Sequence, residues 1–247
     1  MGGRALLLIS LRNKYSNKNN KALIIDPAES KPIIEFLKKN NLILESLLIT
    51  HHHSDHTSGI RSLLDSNSVK VYSPSSSIIN TTNIVKDGDY INFNFIDFKI
   101  ISTPGHTIDH IIYYSKKNNI LFSGDTLFSL GCGRIFEGTY EQMFESLQKI
   151  NELPNNTTVY CGHEYTIQNY NFLKSVFKNN NVLIDYKKTI DQKLESNKCS
   201  VPFNLGEEKI VNPFLVSNVS TYNNFKKSKK MNDLNFFKYI RKLKDNY

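Results

Sequence analysis

The stretch Thr50-His-His-His-Ser-Asp-His-Thr-Ser-Gly59 places four histidines and an aspartate within six positions, His51 to His56. The residues before it, LESLLIT (Leu44 to Thr50), have the apolar, partly β-branched character of a buried strand, and GIRSLLDS after it reads as a helix start. The histidines therefore stand at a strand end, where a rigid element aims them. Side chains alternate along extended backbone, so His51 and His53 point one way and His52 the other. Asp55 and His56 follow once the chain has turned and face a second point. A lone His-x-His is most often a polar loop; His-x-His-x-Asp-His at a strand end is the spacing of two adjacent metal sites.

Three further segments each put a candidate ligand just after a strand. STPGHT supplies His106 behind a Pro-Gly turn, SGDT supplies Asp125, and YCGHEYT supplies His163. With the first stretch, His52 set aside, these make five histidines and two aspartates. Three imidazoles plus a shared carboxylate suit one borderline ion, and two imidazoles plus two carboxylates suit another. Zinc is the expected metal, with iron and manganese compatible with the same donors.

Composition sets the frame for this site. The 247 residues are 39% hydrophobic, enough to bury a large core, and contain no apolar run of the ~20 residues that span a bilayer. ALLLIS near the start is too short for a signal-peptide core and reads as a strand. Three cysteines, Cys132, Cys161 and Cys199, are too few and odd in number for a disulfide framework and fit a reducing, cytoplasmic setting. The net charge of +8 comes with Lys- and Asn-rich surface stretches such as NKYSNKNNK. It has no aromatic interleaving of the kind that binds RNA, so no nucleic-acid or membrane partner is expected. A small polyanionic substrate is, and the chain is expected to be a monomer.

Residues 1–163 alternate short strands with turns and a few helices, whereas helical spacing dominates from 164 to 247, in NYNFLKSVF, YKKTIDQKLES and LNFFKYIRKLK. This predicts a β-rich domain followed by a smaller helical one. Thr139 is placed to cap the helix that begins in TYEQMFESLQKI.

His51-x-His53-x-Asp55-His56, followed by His106, Asp125 and His163, resembles the metallo-β-lactamase superfamily. GDTLF (Gly124 to Phe128), GCGRIFEGT (Gly131 to Thr139), YCGHEYT and VPFNLGEEKIVNPF (Val201 to Phe214) resemble, more narrowly, the hydroxyacylglutathione hydrolases, the glyoxalase II family. The resemblance implies an α/β fold, an αββα sandwich with a smaller C-terminal helical domain. It implies that His51, His53 and His106 hold the first metal, that Asp55, His56 and His163 hold the second, and that Asp125 bridges them and orients a bridging hydroxide. It further implies a glutathione site at Arg134, Phe136, His163, Tyr165, Arg241 and Lys244, with His52 not a ligand.

Phe136 stands where the family usually has tyrosine, which removes one hydroxyl contact and keeps the ring. The family pattern also has a strand and an Asp-Asn-Tyr-like turn ahead of the strand matched by ALLLIS; these are expected upstream, with organellar targeting possible there, or absent from a shortened chain. The implied reaction is hydrolysis of S-(2-hydroxyacyl)glutathione, typified by S-D-lactoylglutathione, to glutathione and a 2-hydroxy acid such as D-lactate, in methylglyoxal detoxification. The competing readings are a persulfide dioxygenase or an RNA-processing metallo-hydrolase of the same superfamily.

Overall fold

The structure, a computed structural model, describes residues 7–10, 20–64, 69–197, 199–215 and 220–247. The chain runs β1 (Leu7–Ser10), β2 (Lys21–Ile25), α1 (Lys31–Lys39), β3 (Ile43–Leu48), α2 (Ser54–Thr57), α3 (Ile60–Leu63), β4 (Lys70–Ser73) and β5 (Asn83–Ile84). It continues through β6 (Tyr90–Asn92), β7 (Asp97–Ser102), β8 (Ile111–Ser115), β9 (Ile120–Gly124), β10 (Leu127–Phe128), β11 (Gly131–Cys132), α4 (Tyr140–Asn151) and β12 (Thr158–Cys161). The remainder is α5 (Thr166–Val176), α6 (Asn181–Asn197), β13 (Phe203–Asn204), α7 (Leu205–Val211), α8 (Ser220–Ser228) and α9 (Asp233–Asp245).

Two sheets form. The first has the order β1-β2-β3-β4-β5, with β1 antiparallel to β2 and the others parallel. The second has the order β13-β12-β9-β8-β7-β6, in which only the β12 and β9 pair is parallel.

Alternation along the strands decides what each face covers. Ala22, Ile24, Leu47, Ile49 and Val71 face α1 and α3, packing with Ile33, Leu37, Ile60 and Leu63. Leu23, Ile25 and Leu48 instead meet Phe98, Ile100, Tyr113 and Phe122 of the second sheet. The outer face of that sheet, Ile112, Tyr114, Leu121 and Val159, packs against α4 and the C-terminal helices. The layers are thus helix, sheet, sheet, helix, as expected.

The strands expected at ALLLIS and LESLLIT appear as β1 and β3, with Ala5 and Leu6 outside the described residues. Thr139 caps α4 in a reciprocal capping box with Gln142. The predicted helix GIRSLLDS is shorter, Ile60–Leu63, and part of that stretch lies outside the described residues. No helix of the described residues is long and apolar enough to cross a membrane.

Phe203, Phe214, Phe236 and Phe237 from the C-terminal part are fully buried in one cluster with Leu127, Met143 and Leu147. Polar contacts reinforce this packing. The carboxylate of Glu208 in α7 accepts hydrogen bonds from Ser129 Oγ (2.6 Å), Leu130 N (2.8 Å) and Tyr186 OH (2.9 Å). Burial pushes its pKa up, and the three donors work against that shift.

Glu208→Ala leaves those buried donors without an acceptor and should cost ~3 kcal/mol, a fall in Tm of roughly 6–12 °C. Thermal unfolding followed by circular dichroism checks this; a change under 2 °C would show that the bonds are replaced by water.

Candidate metal centre

Four segments from both sheets deliver the ligands to one edge of the sandwich. His51 and His53 follow β3, His106 follows β7, Asp125 follows β9 and His163 follows β12. The sheets are tied together at this edge: Ile111 N donates to Thr50 O (2.9 Å) and Tyr113 OH to Ile49 O (2.8 Å). Beyond His53 the chain turns into α2, which carries Asp55 and His56.

His51, His53 and His106 converge, with His51 Nε2 and His106 Nε2 standing 3.2 and 3.0 Å from His53 Nδ1. Asp55, His56 and His163 make a second group, His56 Nε2 and His163 Nε2 lying 3.3 Å apart and Asp55 Oδ2 3.3 Å from His163 Nε2. The seventh group lies between them. Asp125 Oδ2 is 3.5 Å from His106 Nε2 and 3.4 Å from His163 Nε2, and Asp125 Oδ1 is 3.4 Å from His56 Nε2. All seven residues predicted as metal ligands are therefore brought together.

The donor set suits divalent cations. Four ligands about 2.0–2.1 Å from one ion stand about 3.3 Å from each other in a tetrahedron, close to the nitrogen separations found here. Among the described residues Asp125 Oδ1 is a buried acceptor without a hydrogen-bond donor. Burial pushes the imidazoles of His51, His53 and His106 down, which favours the neutral form that ligates. Burial alone would also lower His56, but Asp26 and Asp125 beside it prevail and raise it to about 11. Burial would raise the Asp125 carboxyl; His163 and His56 instead hold it well below the usual carboxylate range. The field at this point attracts positive charge.

Around the ligands lies a set of supporting groups that sequence reasoning did not find. The buried Asp26, just after β2, accepts from Thr50 N (2.8 Å), Thr50 Oγ1 (2.7 Å) and His56 Nδ1 (3.0 Å). It thereby points His56 Nε2 inward. Likewise His106 Nδ1 donates to Arg134 O (2.7 Å). The fully buried His110 accepts from Asp125 N (3.0 Å) and stacks on His51 at 4.8 Å. Two glycines make room: a Cβ on Gly162 would lie 2.3 Å from Asp125 Oδ1, and Gly124, with φ +47°, would meet His110 Nε2 at 2.7 Å. The only sequence signals for these supports were the Gly-Asp and Gly-His pairs and the IIDP end of β2.

His52 turns away from the ligands, as alternation predicts. Its Nδ1 lies 3.0 Å from Asp109 Oδ1 and its Nε2 3.2 Å from Glu137 Oε1.

A cleft of about 630 Å³ opens over the ligands, and Arg134, Phe136 and Tyr165 line it with His53, Asp55, His106, Asp125 and His163. Phe136 is 61% exposed and presents its ring to His53 and His106. Tyr165 stacks on His163 at 5.1 Å.

Arg241 and Lys244 do not line this cleft. Arg241 is buried, giving Nη1 to Cys132 O (2.9 Å) and Nη2 to Asp245 Oδ1 (3.0 Å). Lys244 Nζ donates to Asn169 Oδ1 (2.6 Å) and stands over the Phe172 ring. The two thus have separate partners within the chain. Arg241 is linked to the cleft through Asp245, which also pairs with Arg134. Cys132 and Cys161 are buried and their thiols are pushed up by burial, which fits packing rather than nucleophilic chemistry.

Asp26→Asn keeps the shape of the residue and removes its charge. It should lower divalent-metal affinity at the Asp55, His56 and His163 group roughly 10–100-fold with the fold retained. Titration against a competing chelator measures this, and an unaltered affinity would show that His56 is aligned without Asp26.

Comparison with known proteins bears on the whole chain. Residues 16–163 match the profile of the metallo-beta-lactamase superfamily, and residues 164–247 that of the hydroxyacylglutathione hydrolase C-terminus. The hydroxyacylglutathione hydrolase of Idiomarina loihiensis is 40% identical over 236 residues, 94% of this chain and 92% of that protein. That of Bdellovibrio bacteriovorus is 39% identical over 236 residues, 91% of this chain and 88% of its own. Among solved structures, ETHE1 from Myxococcus xanthus superposes over 98% of this chain and 90% of its own with a TM-score of 0.66 at 21% identity. The B3 metallo-beta-lactamase BLEG-1 covers 64% of this chain and 91% of its own, with a TM-score of 0.55 at 26% identity. The chain belongs to the hydroxyacylglutathione hydrolase family of the metallo-β-lactamase superfamily.

Proposed function

We propose that this protein is a hydroxyacylglutathione hydrolase that cleaves S-(2-hydroxyacyl)glutathione, with S-D-lactoylglutathione as its typical substrate, to glutathione and a 2-hydroxy acid. The observation that carries this reading is the convergence of seven ligands on two adjacent points, opening onto a cleft that Arg134, Phe136 and Tyr165 line. The match of residues 164–247 to the hydroxyacylglutathione hydrolase C-terminus favours it over a persulfide dioxygenase or an RNA-processing hydrolase.

The division of labour follows from the same arrangement. Residues 1–163 carry the chemistry and residues 164–247 contribute recognition. His51, His53 and His106 would hold one divalent ion, Asp55, His56 and His163 the other, and Asp125 both; zinc suits this mixture of imidazole and carboxylate, as do iron and manganese. Bound there, the ions supply a water activated near neutral pH and polarisation of the thioester carbonyl.

The chain itself supplies position and charge. Asp125, fixed through its backbone by His110, is the acceptor beside which the attacking water is oriented. Arg134 presents a cation at the cleft wall to a carboxylate of glutathione, and Tyr165 and Phe136 pack on the tripeptide. Arg241 and Lys244 lie off the cleft wall and would act on the bound carboxylate through their charge; Lys244 is lowered to about 8 by burial and by Arg241. The reaction needs no protein nucleophile.

Purified protein should hydrolyse S-D-lactoylglutathione and carry close to two equivalents of metal, and Asp125→Ala should abolish turnover with the fold intact. Robust activity with one metal or none would overturn the dinuclear reading.

The Lys244 charge has a pH signature. Because its pKa stands near 8, the ammonium that attracts a carboxylate is lost as pH rises, so KM should climb between about pH 8 and 9.5. Lys244→Ala should raise KM about tenfold to a hundredfold at pH 7 and flatten that climb. A KM independent of pH in the wild type would remove Lys244 from recognition.

A further inference from the structure

The final helix α9 ends on a carboxylate, Asp245. Local energetics oppose this, since the last turn of a helix carries the negative end of its dipole and favours cations. The compensation comes partly from within the helix and partly from a distant segment. Asp245 Oδ1 accepts from Arg134 Nε (3.2 Å) and from Arg241 Nη2 (3.0 Å), and the Asp245 main-chain oxygen accepts from Arg134 Nη2 (2.9 Å). The Nε and Nη2 edge of Arg134, the one suited to grip a carboxylate in two places, is thus spent on the protein's own chain. Arg134 nonetheless sits on the cleft wall with its side chain 53% exposed, where an incoming ligand can reach it.

The cluster is not electrically satisfied. Arg134 and Arg241 share one carboxylate whose single oxygen serves both guanidiniums, and Arg241 Nε is buried with no acceptor among the described residues. A second anion is attracted there, but against the charge of Asp245 and in competition with it for Arg134.

We propose that Asp245 is a specificity-determining residue, an internal carboxylate that competes with the carboxylate of glutathione at Arg134 and so sets how tightly substrate and product are held. The inference rests on the hydroxyacylglutathione hydrolase reading of the cleft. Its physical sense lies in the product. Glutathione keeps both carboxylates after the thioester is cleaved, so a grip on them is equally strong before and after reaction and hinders departure as much as it helps arrival. A resident carboxylate that returns to Arg134 loosens that grip. Thioesters that bring no carboxylate to Arg134 do not meet this competition.

Asp245→Asn retains the size and an acceptor oxygen and removes the charge, whereas Asp245→Ala also removes the side-chain acceptor. Glutathione binding is read by isothermal calorimetry on the metal-loaded protein, with KM and kcat measured for S-D-lactoylglutathione and for an analogue lacking the glycine carboxylate. For Asp245→Asn the Kd of glutathione and the KM of the full substrate should both fall about fivefold, kcat should not rise, and KM for the analogue should be unaltered. The gain should shrink at high salt, which screens the charge that was removed. In Asp245→Ala, binding at least as tight as wild type supports competition by charge, and weaker binding in both variants at unaltered Tm makes Asp245 a brace for the arginines and overturns the proposal. If the wild-type protein binds glutathione and hydrolyses its thioester while Asp245→Asn binds no more tightly, this inference alone fails. If the wild type does neither, the functional reading fails first.

Discussion

The carboxylate of Asp26 fixes the starting point of the site. It sits at the end of β2 with φ +50° and accepts three hydrogen bonds, two from Thr50 and one from His56. Thr50 is the residue from which the histidine run departs, and its carbonyl receives Ile111 N from the second sheet. One buried anion therefore sets the exit direction of the ligand loop, the tautomer of His56 and, through Thr50, the register of the two sheets at their shared edge. A buried carboxylate is costly unless its lone pairs are occupied. Here they are occupied by the groups whose placement the ligand loop requires.

The seven candidate ligands, which the structure brings together, were legible because each lies in a short motif after a strand, so that local pattern and three-dimensional placement coincide. Asp26 and His110 were not, because their roles exist only across segments: Asp26 meets Thr50 and His56 24 and 30 residues away, and His110 meets Asp125 15 residues away. The sandwich was readable from strand alternation. Strands β5, β10, β11 and β13, two residues each, are too short to show any period. Helices α7 and α8 were missed for a different reason, since LGEEKIV and STYNNFKKS have weak helical spacing and are held by tertiary packing around Tyr222 and Val211. Arg241 shows the limit of composition most clearly. In YIRKLKD it reads as one cation on a wet helix face, yet the Cys132 carbonyl, the Asp245 carboxylate and the Phe214 ring surround it in the interior.

The C-terminal helices act on the catalytic edge through packing and through charge. Glu208 of α7 holds Ser129 and Leu130, the latter at φ +59°, in the turn between β10 and β11. That hairpin leads directly into Arg134. Asn212 donates to Phe128 O and Gly131 O in the same turn. The cleft-lining loop is thus shaped from behind by helices that contribute none of the seven candidate ligands.

That loop is also fastened from the front. Arg134 O accepts from His106, Phe136 N donates to His106 O, Gly138 N donates to Gly105 O, and Glu137 meets both His52 and Ile108 N. Nearly all of these bonds use the main chain of the loop or Glu137, and none uses the side chain of Phe136. The backbone is bolted to the candidate ligands while the exposed ring above it meets His53 and His106 in T-shaped contacts. Such an arrangement separates what inheritance can vary from what it must keep. A tyrosine can become a phenylalanine at this point, and other side chains can be tried in turn, without moving a ligand. Acyl and peptide preference can drift on a chassis whose chemistry stays fixed.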